Sequence, residues 1–160
     1  MTYQNCCFTG HRKIEAGLLP PLRAVLVATL TDLIEGGCLH FYAGGALGFD
    51  TLAAEETLAL RERYPGVALH LLLPCRDQCR SWAPLDVARY EAILTQADSY
   101  CYLGEAYSSA AMAMRNRALV ERADICIAFL RREASGAGQT VRTARRAGLP
   151  VINLAERLAP

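Results

Sequence analysis

The sequence predicts a single α/β domain built on a mostly parallel sheet with helices on both faces. Strand-like and helical patterns alternate along all 160 residues, with no linker, internal repeat or low-complexity segment between them. The run over residues 67–73 is almost continuously apolar, which is typical of a parallel strand covered on both faces. A chain of this length can bury a substantial core. We therefore expect one domain over residues 1–160.

The first half of the chain contains two strand-to-helix units. Residues 3–9 form a short strand-like run, and a pair of prolines beginning at Pro20 opens a helix with apolar residues at helical spacing. The second strand is predicted over residues 38–43, and a glycine-rich turn separates it from a helix over residues 50–63. Asp50 is a suitable N-cap residue for that helix.

The second half continues the alternation. Pro74 ends the third strand, and residues 75–84 form a polar, irregular segment that contains the only tryptophan. Helices are then predicted over residues 85–96, 108–122 and 139–147, and strands over residues 98–103, 124–130 and 151–154.

The charge balance argues against nucleic acid as a partner. Seventeen basic and sixteen acidic residues give a formal net charge of +1, so no global electrostatic attraction draws the chain to a polyanion. No basic stripe is evident either. The predicted partner is instead a small molecule.

Neither a membrane segment nor a metal site is predicted. No apolar run approaches the roughly 20 residues needed to span a bilayer, and the N-terminus lacks a signal-peptide layout, so we expect a cytoplasmic protein with no membrane partner. Cys75 and Cys79 have no nearby histidine to complete a metal set. Four of the seven cysteines lie within apolar runs and are expected to be buried, reduced thiols: Cys6, Cys38, Cys101 and Cys126.

The glycine-rich turn over residues 44–48 has the features of an anion site. Its glycines allow a sharp turn that presents bare amides, and the following helix directs its positive end at the same place. It matches neither the dinucleotide-binding fingerprint nor a P-loop. A tight turn with no ligand is the alternative interpretation, and Asp50 is either a helix cap or a catalytic acid.

Two further loops of unusual composition follow predicted strands. Residues 135–140 read Ser-Gly-Ala-Gly-Gln-Thr, and Thr140 can donate its hydroxyl to a phosphate. Residues 9–12 add a hydroxyl, a flexible backbone, a titratable ring and a cation, although His11 and Arg12 could equally belong to a solvated loop. Ligands of open α/β sheets bind beyond the carboxyl ends of the strands. Two small-residue loops at that edge therefore predict a nucleotide, long enough to touch both.

The wall of the predicted site draws on two other regions. Asn116 lies in the middle of a predicted helix, where asparagine is locally unfavourable, so it is either a hydrogen-bonding group or an ordinary surface residue. Trp82 and Tyr90 could supply a stacking surface for a base. The predicted ligand-binding residues are Thr9, Gly10, His11, Arg12, Gly44, Gly45, Ala46, Gly48, Asp50, Thr51, Trp82, Arg115, Asn116, Gly136, Ala137, Gly138 and Thr140.

Several phrases of the sequence resemble one known family. TGHR at residues 9–12, AGGALGFDTLAAE at residues 43–55 and MRNRALVERAD at residues 114–124, with Trp82, Tyr90 and Tyr107, are similar to the YpsA-like proteins of the SLOG superfamily. That superfamily is named for the DNA-processing protein DprA/Smf and the cytokinin-activating LOG enzymes. The resemblance implies a Rossmann-like fold and a site for a nucleotide or a nucleotide derivative such as ADP-ribose or NAD.

The resemblance to the LOG enzymes breaks down at their motif. LOG enzymes cleave the bond between a base and ribose 5′-phosphate and carry a PGGxGTxxE motif, whereas residues 135–143 read SGAGQTVRT. The proline is absent, Gln139 separates the glycine from the threonine, and no glutamate follows. We therefore expect a sensor or regulator that binds a nucleotide-like ligand with no certain cofactor. The alternative is an enzyme acting on N-glycosidic bonds, with Asp50 as the best catalytic candidate. A homodimer is also expected.

Overall fold

The computed structural model describes residues 2–158. Within these residues, six strands alternate with five helices: β1 Asn5–Gly10, α1 Leu19–Glu35, β2 His40–Ala43, α2 Phe49–Arg63, β3 Ala68–Leu73, α3 Pro84–Gln96, β4 Ser99–Tyr102, α4 Ser109–Arg122, β5 Ile125–Phe129, α5 Gly136–Arg146 and β6 Val151–Asn153. Short 3₁₀ turns at Ala16–Leu18 and Leu154–Arg157 complete the chain that is described.

All six strands belong to one parallel sheet in the order β4-β3-β2-β1-β5-β6. The chain first builds outward from β1 to β4, and then returns to place β5 on the other side of β1. The strand order therefore reverses between β1 and β5, where the two following loops diverge and leave a crevice. The predicted α/β fold is confirmed, and its sheet is parallel throughout these residues.

The two faces of the sheet are covered by different helices. Helices α1, α2 and α3 pack on one face around a core centred on Phe8, Phe41 and Phe49, which are fully buried. Helices α4 and α5 pack together on the other face over smaller residues that include Cys7 and Cys126. Because side chains alternate along a strand, neighbouring residues of β1 supply both cores.

Most predicted boundaries lie within two residues of the observed ones, but the start of α5 does not. That helix begins at Gly136 rather than at residue 139. The Ser135 hydroxyl oxygen accepts a hydrogen bond from the Gly138 amide at 3.0 Å, which caps the helix three residues earlier than predicted. The small residues of this loop are therefore the first turn of a helix.

The segment Ala16–Glu35 is long and apolar enough to span a bilayer by length and composition alone, but Leu22, Leu26 and Leu30 on one side of α1 are fully buried in the core of the domain. One expectation drawn from the hydrophobic runs is wrong. Cys101 is exposed rather than buried, because β4 forms one edge of the sheet.

Candidate functional site

A cleft of about 620 Å³ opens at the carboxyl ends of β1 and β5, where the strand order reverses. The loop that follows β1, the inner side of α4 and the first turn of α5 form its walls. Eleven of the seventeen predicted residues line it: Thr9, Gly10, His11, Arg12, Ala46, Asp50, Arg115, Asn116, Gly136, Ala137 and Thr140.

The other six predicted residues lie outside the cleft: Gly44, Gly45, Gly48, Thr51, Trp82 and Gly138. Trp82 packs edge-on against Tyr90, with ring centroids 5.5 Å apart, on the α1–α3 side of the sheet. It therefore offers no surface for a base bound in this cleft.

The glycines of the β2–α2 turn are required by close packing. A Cβ atom at Gly44 would lie 2.4 Å from the Arg115 guanidinium, and one at Gly45 would lie 2.5 Å from the Leu73 side chain. At Gly48 a Cβ atom would lie 2.2 Å from the Arg12 carbonyl oxygen, and φ is +74°. Glycine is thus needed at these positions whether or not an anion binds. This agrees with the alternative interpretation of the segment as a tight turn with no ligand.

Asp50 does not cap α2. Gly48 occupies the N-cap position, and Asp50 lies buried in the first turn, where its carboxylate accepts a hydrogen bond from the Ala46 amide at 3.3 Å. The Thr51 hydroxyl donates to the Ala46 carbonyl oxygen at 2.9 Å. Both side chains therefore bind back to the preceding turn and hold it against the helix.

Arg115 is buried beside Asp50, with only 4% of its surface exposed. Its Nη1 donates to the Gly44 carbonyl oxygen, and its Nε donates to Asn116 Oδ1 at 2.8 Å. Asn116 is thus a hydrogen-bonding group that orients Arg115. Nη2 has no acceptor among residues 2–158, and the side chain lines the cleft, so part of a buried guanidinium faces the open space.

Burial disfavours the charged forms of both members of this pair. It raises the pKa of Asp50, against the opposing effects of the Arg115 cation and the Ala46 amide. It also lowers the pKa of Arg115, against the opposing effect of the Asp50 carboxylate. Each group therefore depends on the other to remain ionised in the interior.

The first turn of α5 presents unused backbone amides to the cleft. Gly136 and Ala137 line it, and their N–H groups find no acceptor in the described part of the chain. Thr140 is buried and its hydroxyl donates to the Gly136 carbonyl oxygen at 3.1 Å, so it closes the helical turn. A Cβ atom at Gly138 would lie 2.0 Å from the Glu133 carbonyl oxygen, which again requires glycine for packing.

His11 is buried, while Arg12 is exposed. The His11 Nε2 atom accepts hydrogen bonds from the backbone amides of Arg131 at 2.9 Å and Arg132 at 3.3 Å. Burial and the two arginine cations lower the pKa of His11. The prediction of a solvated loop thus holds for Arg12 and fails for His11.

The residues that line the cleft carry an excess of positive charge. Arg12, Lys13, Arg115 and Arg132 contribute four cations, and Asp50 is the one carboxylate among these lining residues. Sequence reasoning missed Lys13 and Arg132, together with Tyr107, Ser109, Met112 and Gln139 as lining residues. The two cations could have been found, because each follows shortly after the end of a predicted strand.

Comparison with known proteins identifies relatives of this chain. A sequence model described as the YspA SLOG family matches residues 6–147. The UPF0398 protein of Bacillus pumilus is 32% identical over 137 residues, which cover 80% of this chain and 74% of that protein. The chain thus aligns with most of this relative's length.

Solved structures with the same fold include two DNA processing proteins. DNA processing protein A from Helicobacter pylori, for which a single-stranded DNA binding mode is described, matches with a TM-score of 0.66 at 20% identity, over 94% of this chain and 64% of that chain. DprA from Streptococcus pneumoniae matches with a TM-score of 0.53 at 12% identity, over 99% of this chain and 62% of that chain. The present chain therefore spans less than two thirds of either, and the likeness extends to the fold alone.

Proposed function

The chain belongs to the YspA SLOG family, and from this premise we propose that it binds a nucleotide or nucleotide-derived molecule, such as ADP-ribose or NAD, in the cleft between β1 and β5. The bound state would then act as a signal, so that the protein works as a sensor or regulator. We further propose that it acts in the cytoplasm as a homodimer.

One observation carries this proposal: two different kinds of unused N–H donor open into the same cleft. The first are the Gly136 and Ala137 amides at the N-terminus of α5, where the helix dipole favours an anion. The second is Nη2 of the buried Arg115 guanidinium, a charged donor that suits a contact with phosphate. Together they favour a ligand that carries phosphate.

The dimensions and charge of the cleft favour a nucleotide over free phosphate. A volume of about 620 Å³ is within the range of roughly 300–1,000 Å³ typical of small-molecule sites. Four cations face one carboxylate in its lining, which suits a ligand with more than one negative charge. Tyr107 also lines the cleft and is 51% exposed, so its ring is free to stack on a base.

Gly136→Leu is expected to abolish ligand binding while the fold survives. A Cβ atom at Gly136 meets no other atom within 4 Å, so the larger side chain fits the backbone and occupies the mouth of the cleft. The test is a thermal-shift panel of ADP-ribose, NAD, AMP and cyclic dinucleotides. A ligand at 100 times its Kd should stabilise the wild type by about 2.7 kcal/mol, or roughly 5–10 °C for a domain of this size.

Gly66→Leu is the matched control for that variant. Gly66 precedes β3, at the amino ends of the strands and so on the side of the sheet away from the cleft. A Cβ atom there makes only an ordinary contact of 3.5 Å with Leu39. It should respond to ligand like the wild type. A Gly136→Leu protein with an undiminished shift would mean that the ligand binds elsewhere, and a wild type that responds to none of the four ligand classes would overturn nucleotide binding.

A second candidate function is supported by the position of Asp50. Its carboxylate lines the cleft, and burial raises its pKa, which suits an acid or base acting on an N-glycosidic bond. If the protein is such an enzyme, chromatography of NAD or AMP after incubation should detect released base. Asp50→Asn, which preserves shape, should retain binding but reduce turnover by at least about 100-fold. Ligands that bind and remain intact would leave the sensor function as the better proposal.

Single-stranded DNA is a weaker candidate ligand for this chain. The Helicobacter pylori protein with the described DNA-binding mode shares only its fold with this chain, and a net charge of +1 provides little attraction to a polyanion.

A further inference from the structure

The loop that joins β5 to α5 is held by one side chain from β6 and one from the loop that follows β1. The Leu130 amide donates to Asn153 Oδ1 at 3.0 Å, and Asn153 Nδ2 donates to the Leu130 carbonyl oxygen at 2.8 Å. The next two amides, those of Arg131 and Arg132, donate to His11 Nε2. The backbone that leaves β5 is therefore fixed by Asn153 of β6 on one side and by His11 on the other.

The contacts of His11 continue directly into the N-terminus of α5. Arg132 donates its amide to His11 and accepts a hydrogen bond from the Ser135 hydroxyl at its carbonyl oxygen, at 2.7 Å. The same Ser135 hydroxyl caps α5 by accepting from the Gly138 amide. A continuous chain of hydrogen bonds thus links the His11 ring to the helix end that faces the cleft.

Only the neutral ring of His11 can make these contacts. A nitrogen that accepts two N–H groups cannot carry a proton, so Nδ1 holds the hydrogen of the neutral tautomer. Protonation of Nε2 would direct an N–H at two other N–H groups and remove both hydrogen bonds. Since His11 is only 6% exposed, water cannot readily replace the lost acceptor.

We propose that His11 is a positioning residue whose neutral ring fixes the β5–α5 loop and the anion-binding end of α5, and whose protonation releases them. The inference rests on the proposed function, since it assigns a pH-dependent control to the same cleft. The ring gains or loses its proton in response to pH alone, so this control needs no partner molecule.

Burial and the neighbouring cations favour the neutral state of the ring. Burial lowers the pKa of His11 most, and Arg132 and Arg131, on the loop that the ring binds, lower it further. Arg12 and Lys13 follow His11 in the chain, and Arg115 of α4 and Asp50 of α2 line the same cleft; α5 contributes no charged side chain to that lining. Because the pKa of His11 is lower in the folded state, its contribution to stability is complete above about pH 6.5 and is lost as the pH falls below that value.

The test is amide hydrogen exchange at pH 7.5 and pH 5.5, corrected for the intrinsic exchange rate. In the wild type, protection of the Arg131 and Arg132 amides should fall about tenfold per pH unit below about pH 6.5, until the pKa of the folded state is reached. The Leu130 amide is an internal control, because its acceptor on Asn153 does not titrate.

Two variants distinguish the loss of the hydrogen-bond acceptor at His11 from the loss of its titration. His11→Gln supplies an amide oxygen at a similar distance that does not titrate, so protection should be retained at both pH values. His11→Phe keeps the ring and removes the acceptor, so protection of both amides should be low at both pH values. The proposal is overturned if protection in the wild type is independent of pH, or if His11→Phe retains it.

Affinity for ADP-ribose, measured on the same proteins, tests the link to the cleft. It should weaken from pH 7.5 to pH 5.5 in the wild type and stay constant in His11→Gln. An affinity that rises at low pH in the wild type alone would mean that the imidazolium attracts the anion directly, and would overturn the positioning role. If no protein binds ADP-ribose but the exchange results hold, the proposed function is wrong for this ligand and the loop contact stands.

Discussion

Arg115→Met is expected to destabilise the protein by about 3 kcal/mol at pH 7, because it leaves the buried Asp50 carboxylate without its nearby cation. It also leaves the buried Gly44 carbonyl oxygen without its donor. The free energy of unfolding, measured in urea, reports the loss directly. A loss of this size should lower Tm by roughly 10 °C in a domain of this length.

Arg117→Met is the matched control. It makes the same substitution two residues along the same helix, at a position that is exposed. A surface substitution of this kind should change stability by less than about 0.5 kcal/mol. Equal losses in the two variants would mean that the helix itself, and not the burial of Arg115, determines the effect.

The pH dependence of Arg115→Met identifies Asp50 as the source of the loss. A carboxyl group whose pKa is raised by folding binds its proton more tightly in the folded state, so its penalty is present above the folded pKa and disappears as the pH falls. The variant should therefore recover stability on acidification from pH 7 relative to Arg117→Met. The loss should also be smaller by at least about 1 kcal/mol when Asp50→Asn is already present. An additive double variant would contradict the coupling.

Periodicity was sufficient to predict the architecture. Strand runs of four to seven residues rich in apolar side chains and helices with apolar residues three or four apart indicate which segments are buried, and these local patterns persist in the fold. The alternation also places the loops of interest at one edge of the sheet. What it does not contain is the order of the strands, so the reversal between β1 and β5 had to be observed.

Some glycines are required by close packing and others line the cleft, and the sequence alone does not distinguish the two. Glycine is required at positions 44 and 48 because atoms of other residues occupy the space that a Cβ atom would need. Gly136 instead has open space around it and lines the cleft. Both kinds follow a strand and lie just before a helix or in its first turn. The distinction depends on what packs against the backbone, and the neighbours of Gly44 and Gly48 come from distant parts of the chain.

The sequence predicts the role of Arg115 better than it predicts the role of His11. Arg115 shares a helix face with Leu119, so helical spacing alone indicates that it points inward, and both residues are buried. His11 binds amides 120 and 121 residues away. No local sequence pattern can predict a contact between residues so far apart in the chain. The role of His11 as an acceptor for backbone amides is therefore seen only in the structure.

Gly48→Ala is expected to be the most damaging single-methyl substitution in the β2–α2 turn. Gly48 has φ of +74° and ψ of −118°, a conformation that is essentially restricted to glycine. The added Cβ would also lie 2.2 Å from the Arg12 carbonyl oxygen and 2.6 Å from that of His11. Backbone strain of about 1–3 kcal/mol and a clash with a second backbone segment therefore add together.

Gly148→Ala separates the two contributions. Gly148 has φ of +85°, but a Cβ atom added there would meet no other atom within 4 Å, so alanine should cost only the strain of the left-handed region, about 1–2 kcal/mol. Gly48→Ala should exceed it by at least about 2 kcal/mol in urea unfolding, since backbone atoms on both sides must move. Because the clash falls on the segment that follows β1, the variant should also lose protection at the Arg131 and Arg132 amides, which depend on His11. Similar losses for the two glycines would show that the β1 and β2 loops separate without cost, and that the packing assigned to Gly48 does not hold the cleft together.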